Sequence, residues 1–177
     1  LMALALIIIF QPELRNALAR LGSSKLFMFS KTQKHEFLDT FCDAVTQLSK
    51  KRIGALFAFE RAISLKDHLE TGVPLDAILS PEFALTIFHP KTALHDGGMI
   101  ISKNRVAGAG CVFPVSSREL EDRSTGLRHR AAIGITEETD GVAVVVSEET
   151  GQISICMDGK LERNLKKDEF RTRMEAI

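Results

Sequence analysis

The chain reads as an α/β domain, a central mixed β-sheet flanked by helices. Two observations carry that assignment. Short apolar runs bounded by charges, glycines and prolines alternate with longer stretches whose apolar residues recur at helical spacing. The run 142–146, Val-Ala-Val-Val-Val, is the most β-branched of the chain and fits a central strand. A length of 177 residues suits one domain able to bury a real core, and no internal repeat or low-complexity segment is visible.

The chain opens on Leu1-Met2-Ala3-Leu4-Ala5-Leu6-Ile7-Ile8-Ile9-Phe10. This run falls short of the about 20 residues that cross a bilayer. With no basic start and no small-residue cleavage site, it is not a signal peptide. Two readings stay open on the residues alone: a first core helix or strand, or the tail of a transmembrane helix. Gln11-Pro12-Glu13 then opens a helix, with Leu14, Ala17, Leu18 and Leu21 at helical spacing and Gly22 as its stop. Residues 23–29 are connecting chain.

A longer helix is expected over about 32–50, with Phe37, Phe41, Val45 and Leu48 on one face and Lys50, Lys51 and Arg52 at its end. That basic run reads as a solvated helix end. Residues 53–59 (IGALFAF) form a short buried strand. Ser64 to Asp67 opens a helical turn that ends around Thr71-Gly72-Val73-Pro74, and 75–79 is a weaker apolar segment. Ser80-Pro81-Glu82 has the cap-then-proline order of a helix start, running to about Phe88 before Pro90.

Residues 99–102 and 106–113 are strand-like and joined by Lys103-Asn104-Arg105, a hairpin turn. Residues 116–126 are polar and read as an exposed loop, and 128–138 as a helix entered from Gly126-Leu127. After the 142–146 strand, 153–156 and 160–163 form a terminal hairpin around Asp158-Gly159. Residues 166–176 are a polar helix or a frayed tail.

Lys+Arg and Asp+Glu both number 23, and a net charge of zero argues against nucleic acid as a partner. An anionic ligand must then be met by local cations. Cys42, Cys111 and Cys156 are far apart in apolar surroundings, so they read as buried free thiols and not as a zinc site. Gly108-Ala109-Gly110 lacks the third glycine of a dinucleotide fingerprint, since Phe113 stands in its place. There is no Walker lysine, no H-E-x-x-H and no G-x-S-x-G. His35, His68 and His89 are scattered and read as structural or exposed.

Charge chemistry is concentrated in three clusters: His95-Asp96-Gly97-Gly98, Arg128-His129-Arg130, and Ser147-Glu148-Glu149-Thr150-Gly151. Together they are the inventory of a site for a polyphosphate and its divalent metal. A carboxylate holds the metal, glycines let phosphate approach the backbone, and arginines neutralise charge. Each cluster has a bland alternative: a tight Asp-Gly turn, a surface basic triplet, and solvated charge after a strand. Against the second, cations at a helix start are unfavourable without an anionic partner. Against the third, ligands of open α/β sheets gather at the carboxyl ends of strands.

Leu94-His95-Asp96-Gly97-Gly98, then Gly126-Leu127-Arg128-His129-Arg130, then Ser147 to Gly151 is similar to the motif order of the diadenylate cyclase domain. The chain resembles its membrane-anchored bacterial type from Leu1 to about Arg163. In that type, a helix starting much like Phe10-Gln11-Pro12-Glu13-Leu14-Arg15 follows three transmembrane helices. The resemblance implies that residues 1–10 are the remnant of the last membrane helix and 11–177 the catalytic domain. It implies a location on the cytoplasmic side of the cell membrane.

The implied activity is the synthesis of cyclic di-AMP from two ATP, with release of two pyrophosphates. It needs a divalent metal (Mn2+, Mg2+ or Co2+) and a face-to-face homodimer, stable or transient, with regulatory proteins as further partners. The implied roles are Asp96 for the metal and the attacking hydroxyl, and His95 and Glu149 as further metal ligands. Gly97 and Gly98 would lie against the nucleotide, Arg128, His129 and Arg130 at the phosphates, and Ser147 on a phosphate oxygen. The backbone near Phe113 would read the adenine edge, with Val112 and Phe113 packing on the ring.

Two positions depart from the family pattern. Its D-G-A is here Asp96-Gly97-Gly98, which removes only a methyl and should be tolerated, with a looser loop. Its threonine before R-H-R is Leu127, which deletes a hydroxyl from the ATP site. One lost hydrogen bond costs roughly 0.5–1.5 kcal/mol, or up to about 3 to a charged group, and is expected to weaken ATP binding or slow turnover by about one to two decades without removing the chemistry. The alternatives are an ATP-binding regulatory module weakened at Leu127, or a membrane-tethered scaffold.

Overall fold

The computed structural model describes residues 31–118 and 126–177. The expected helix over 11–22, the apolar run 1–10 and the boundary between them lie outside the described residues. No helix among the described residues is long and apolar enough to cross a membrane.

In chain order the elements are α1 (Lys31–Lys51), β1 (Ala55–Phe59), α2 (Lys66–Leu69), β2 (Val73–Ala77), α3 (Pro81–Phe88), β3 (Gly98–Ser102) and β4 (Arg105–Cys111). Then follow α4 (Leu127–Glu138), β5 (Val142–Val146), β6 (Ile153–Met157), β7 (Lys160–Leu165) and α5 (Lys167–Ala176). The seven strands form one sheet in the order β2-β4-β3-β1-β5-β6-β7. Only the β1–β3 pair is parallel; the other neighbours are antiparallel, so the sheet is mixed as expected.

Strand alternation divides the core in two. Val142, Val144 and Val146 face α1, α3 and α5 with Phe41, Phe57, Phe88 and Phe170. Ala143 and Val145 face α4 with Ala132, Ile133 and Ile135. Being covered on both faces is what lets β5 be continuously apolar. Phe41 makes edge-on contacts with Phe57 and Phe59 at 5.1 and 4.8 Å between ring centres. The three cysteines are free and buried, and burial pushes the thiols of Cys42 and Cys111 up to about 11.

Local chemistry fixes the element ends. Ser80 caps α3 by accepting the Phe83 N–H at 3.1 Å, with Pro81 in the first turn. Lys103 and Asn104, at φ 50° and 61°, close the β3–β4 hairpin, and Asp158 and Gly159, at 49° and 69°, close β6–β7.

Two expectations are corrected, and the open alternative at the end of the chain is decided as a helix. Val73-Pro74, expected to be a turn, begins β2; a proline is tolerated there because β2 is an edge strand paired only with β4. The polar tail is a packed helix, since Phe170 and Met174 of α5 are buried against α1. Ser116, expected in an exposed loop, is buried: its N–H donates to the Arg130 carbonyl and its hydroxyl to Glu137 at 3.1 Å. The middle strand is β1, with β5 beside it.

Candidate active site

Register brings two of the three clusters to one end of the sheet, and α4 carries the third. Ala55 pairs with Val146 and Phe57 with Met99, so the amino ends of β1 and β3 lie beside the carboxyl end of β5. Gly98 pairs with Cys111, which adds the carboxyl end of β4. The rule that ligands gather at strand carboxyl ends therefore transfers only in part, because the sheet is mostly antiparallel.

The His95-Asp96-Gly97-Gly98 loop is built by local bonds. Thr92 Oγ1 donates to the carbonyls of Ile87 and His89, both at 2.8 Å, which turns the chain after α3. His95 Nδ1 lies 2.6 Å from the Thr92 carbonyl. A carbonyl only accepts, so Nδ1 carries the proton and Nε2 keeps its lone pair. Gly97 has φ 116°, and a Cβ there would lie 2.8 Å from the Cys111 carbonyl oxygen; only glycine fits. The Asp96 side chain is exposed.

The Ser147–Gly151 turn links β5 to β6. Ser147 Oγ accepts the Thr150 N–H at 3.3 Å, and the Gly151 N–H donates to the Ser147 carbonyl at 2.9 Å. Glu148 and Glu149 are exposed.

Helix α4 supplies the third side. Gly126 is its N-cap, with no side-chain cap bond, so the positive end of the helix opens toward the site. Arg128 Nη1 bonds Glu148 Oε2 at 2.8 Å, and Nη2 donates to the His95 carbonyl at 3.3 Å. One guanidinium thus touches both other clusters. His129 is half-buried, and burial, then the nearby Arg163 charge, lower its pKa, so the ring is neutral near pH 7. A small open cleft is lined by Gly126, Leu127, Arg128, His129, Val146, Ser147, Glu148 and Glu149. Arg130 does not line it; its carbonyl anchors Ser116 instead.

The side expected to hold a base differs in detail. Val112 is 63% exposed, whereas Phe113 is buried, its ring edge-on to His68 at 5.9 Å between centres. Phe113 therefore belongs to the core, and Val112 is the one of the two that faces solvent. The Val112 N–H is already committed to Thr71 Oγ1 at 2.8 Å.

No three His, Cys, Asp or Glu side chains among the described residues converge on one point, so His95, Asp96 and Glu149 do not form a closed metal cage within one chain. The donors still suit a hard divalent ion. The protonated Nδ1 of His95 leaves Nε2 as a ligand atom, the arrangement found in metal-binding histidines, and such ions often take one or two protein donors plus phosphate oxygens.

Sequence reasoning placed Glu148 in a charge cluster without giving it a role, read His68 as structural or exposed, and did not single out Gly54 or Thr71. Gly54 carried a signal, a glycine inside an apolar strand-like run, which marks close backbone or side-chain approach.

Comparison with known proteins gives a consistent picture. Cyclic di-AMP synthase CdaA of Bacillus subtilis (strain 168) is 44% identical over 177 residues, covering 98% of this chain and 65% of that protein. Diadenylate cyclase of Listeria monocytogenes serotype 1/2a (strain 10403S) is 42% identical over 171 residues, covering 94% and 63%. The chain thus spans just under two thirds of the length of these two relatives. A crystal structure of a cysteine double mutant of DacA from Staphylococcus aureus superposes with a TM-score of 0.80 at 39% identity, over 82% of this chain and 97% of that one. A hypothetical membrane spanning protein from Bacillus cereus gives 0.69 at 35% identity, over 72% and 63%. Residues 42–161 match the family described as DAC, DisA bacterial checkpoint controller nucleotide-binding, and the chain belongs to that family.

Proposed function

We propose that this chain is the catalytic domain of a diadenylate cyclase, joining two ATP into cyclic di-AMP and releasing two pyrophosphates. The observation that carries this reading is the Arg128 guanidinium, which bonds Glu148 at the cleft and the His95 carbonyl beside it and so ties the three polar clusters together. That cleft lies at the positive end of α4, where phosphate binding is favoured. The names of the two relatives point the same way.

In this reading each of two facing chains holds one ATP. The 3′-hydroxyl of one nucleotide attacks the α-phosphorus of the other; the new O–P bond forms as the bond to the β-phosphate oxygen breaks, and pyrophosphate leaves with that electron pair. Asp96 takes the hydroxyl proton. Arg128 and the first N–H groups of α4 meet the charge on the phosphate oxygens, and the Ser147 hydroxyl donates to one of them. Neutral His129 serves as a hydrogen-bonding group and not as a cation. Val112 covers a face of the base. His95 Nε2, Asp96 and Glu149 are the groups that would hold a divalent cation (Mn2+, Mg2+ or Co2+) together with phosphate oxygens. Bound there, such an ion offsets phosphate charge. The domain works at the cytoplasmic side of a membrane to which the chain ahead of α1 tethers it.

Incubation with ATP and each cation, followed by chromatography, tests this. A cyclic dinucleotide with two pyrophosphates per product is expected. Tight ATP binding with no product under any cation would instead mark a nucleotide-binding regulatory module.

A further inference from the structure

Gly54 is buried between α1 and the first residue of β1, the middle strand. A Cβ there would lie 2.9 Å from Arg128 Nη1, 2.9 Å from Glu148 Oε2 and 3.0 Å from Glu148 Cβ. The Arg128–Glu148 ion pair is thus laid across the head of the sheet in a space kept open by a missing side chain. Arg128 Nη2 reaches the His95 carbonyl, and Nε is buried without a partner. The side chain of Arg128 is 24% exposed and that of Glu148 is 64% exposed.

A guanidinium is a rigid planar fork with five N–H donors. Holding Nη1 from the β5–β6 turn and Nη2 from the loop before β3 fixes both the position of the fork and its plane. One N–H on each terminal nitrogen remains for a phosphate. A carboxylate as exposed as Glu148 contributes little to folding through an ion pair. Its use lies in where it puts the arginine.

We propose that Glu148 is the positioning residue of this site. It holds the Arg128 fork in the orientation that receives a nucleotide phosphate, and Gly54 supplies the clearance for the pair. This deepens the cyclase reading and rests on it.

The test is a pair of double-mutant cycles, read as initial rates of cyclic dinucleotide formation and as calorimetric affinity for a non-hydrolysable ATP analogue. Glu148→Ala is expected to lower kcat/KM by about tenfold, as loss of one bond to a charged group would, with the thermal midpoint unchanged. Glu148→Gln keeps an acceptor oxygen and should stay within about threefold of the parent. Gly54→Ala pushes mainly on the ends of two flexible side chains, so it should reproduce the Glu148→Ala defect in a folded protein. In an Arg128→Ala background both changes should have no further effect. Additive losses there, or a shift in the Mn2+ concentration needed for activity, would overturn the proposal by giving Glu148 a role apart from Arg128. Arg128→Ala with parental rates and affinity would overturn it together with the phosphate role of Arg128. If the parent makes no product at all, the cyclase reading fails alone; the analogue-binding cycle still decides whether Glu148 acts through Arg128.

Discussion

A methyl group placed on Gly98 would sit 2.2 Å from Cε2 of Phe113. The missing methyl therefore does not loosen the loop, as the D-G-A comparison led one to expect. The buried Phe113 ring occupies that space, supported edge-on by His68. Gly98 and Phe113 form a matched pair in the core beneath the exposed Val112.

It follows that Gly98→Ala overpacks the site and destabilises the fold by about 1–3 kcal/mol. Phe113→Leu opens room for the methyl, so the double variant should be more stable than the sum of the single changes predicts. Urea denaturation of the three variants measures this coupling. Strict additivity would show that the loop moves aside independently of Phe113.

Asp96 is exposed on the loop before β3. Exposed substitutions usually alter stability by less than about 0.5 kcal/mol. Asp96→Asn is therefore expected to leave the unfolding midpoint in place while abolishing cyclic dinucleotide formation. A well-folded Asn variant with near-parental rates would remove Asp96 from the chemistry.

Most of the fold could be read from the sequence where periodicity and turn chemistry agreed. The face of α1 (Phe37, Phe41, Val45, Leu48), the Ser80-Pro81 start of α3 and the Asp158-Gly159 hairpin are local signals, and the structure has them all. What local signals could not carry was tertiary context. Pro74 reads as a breaker unless one knows that β2 is an edge strand, and Phe170 looks isolated until α1 is placed beside it. The three site clusters were visible as concentrations of charge. Which of two adjacent glutamates meets Arg128 was not, because that choice depends on the β5–β6 turn.

His129 gives a pH prediction with a definite sign. Burial first, and then the Arg163 charge, hold its folded pKa below the ordinary 6.5. Below that pH the unfolded chain binds more protons than the folded one. Its contribution is therefore present above 6.5 and is lost as pH falls toward the depressed folded value. His129→Gln should flatten this part of the stability profile between neutral pH and mildly acid pH. An unchanged slope in denaturation curves would mean that other groups govern it.

Leu127 is 71% exposed at the first position of α4 and lines the cleft. No packing within the described chain depends on it. Leu127→Thr should thus leave stability within about 0.5 kcal/mol. The added hydroxyl should raise kcat/KM for ATP by up to about tenfold, the equivalent of one hydrogen bond. A fall in activity would mean that the exposed leucine contacts a second copy of the chain.

One chain should be unable to complete the reaction. The proposed product has two-fold symmetry, whereas the sequence carries one set of phosphate-site residues and no internal repeat. The proposed reaction therefore calls for two copies facing each other, each presenting its nucleotide, in an isologous arrangement. The cleft is lined by Arg128, His129, Ser147, Glu148 and Glu149 beside the exposed Leu127, and so many charged and polar groups favour a transient encounter over a permanent dimer. Tethering to a membrane would raise the local concentration and with it the encounter rate. In solution, turnover per molecule should rise with protein concentration and level off as dimers saturate. Sedimentation run in parallel identifies the species present, since a tight dimer would hide the rise. Constant specific activity at concentrations where sedimentation finds only monomer would refute the face-to-face mechanism.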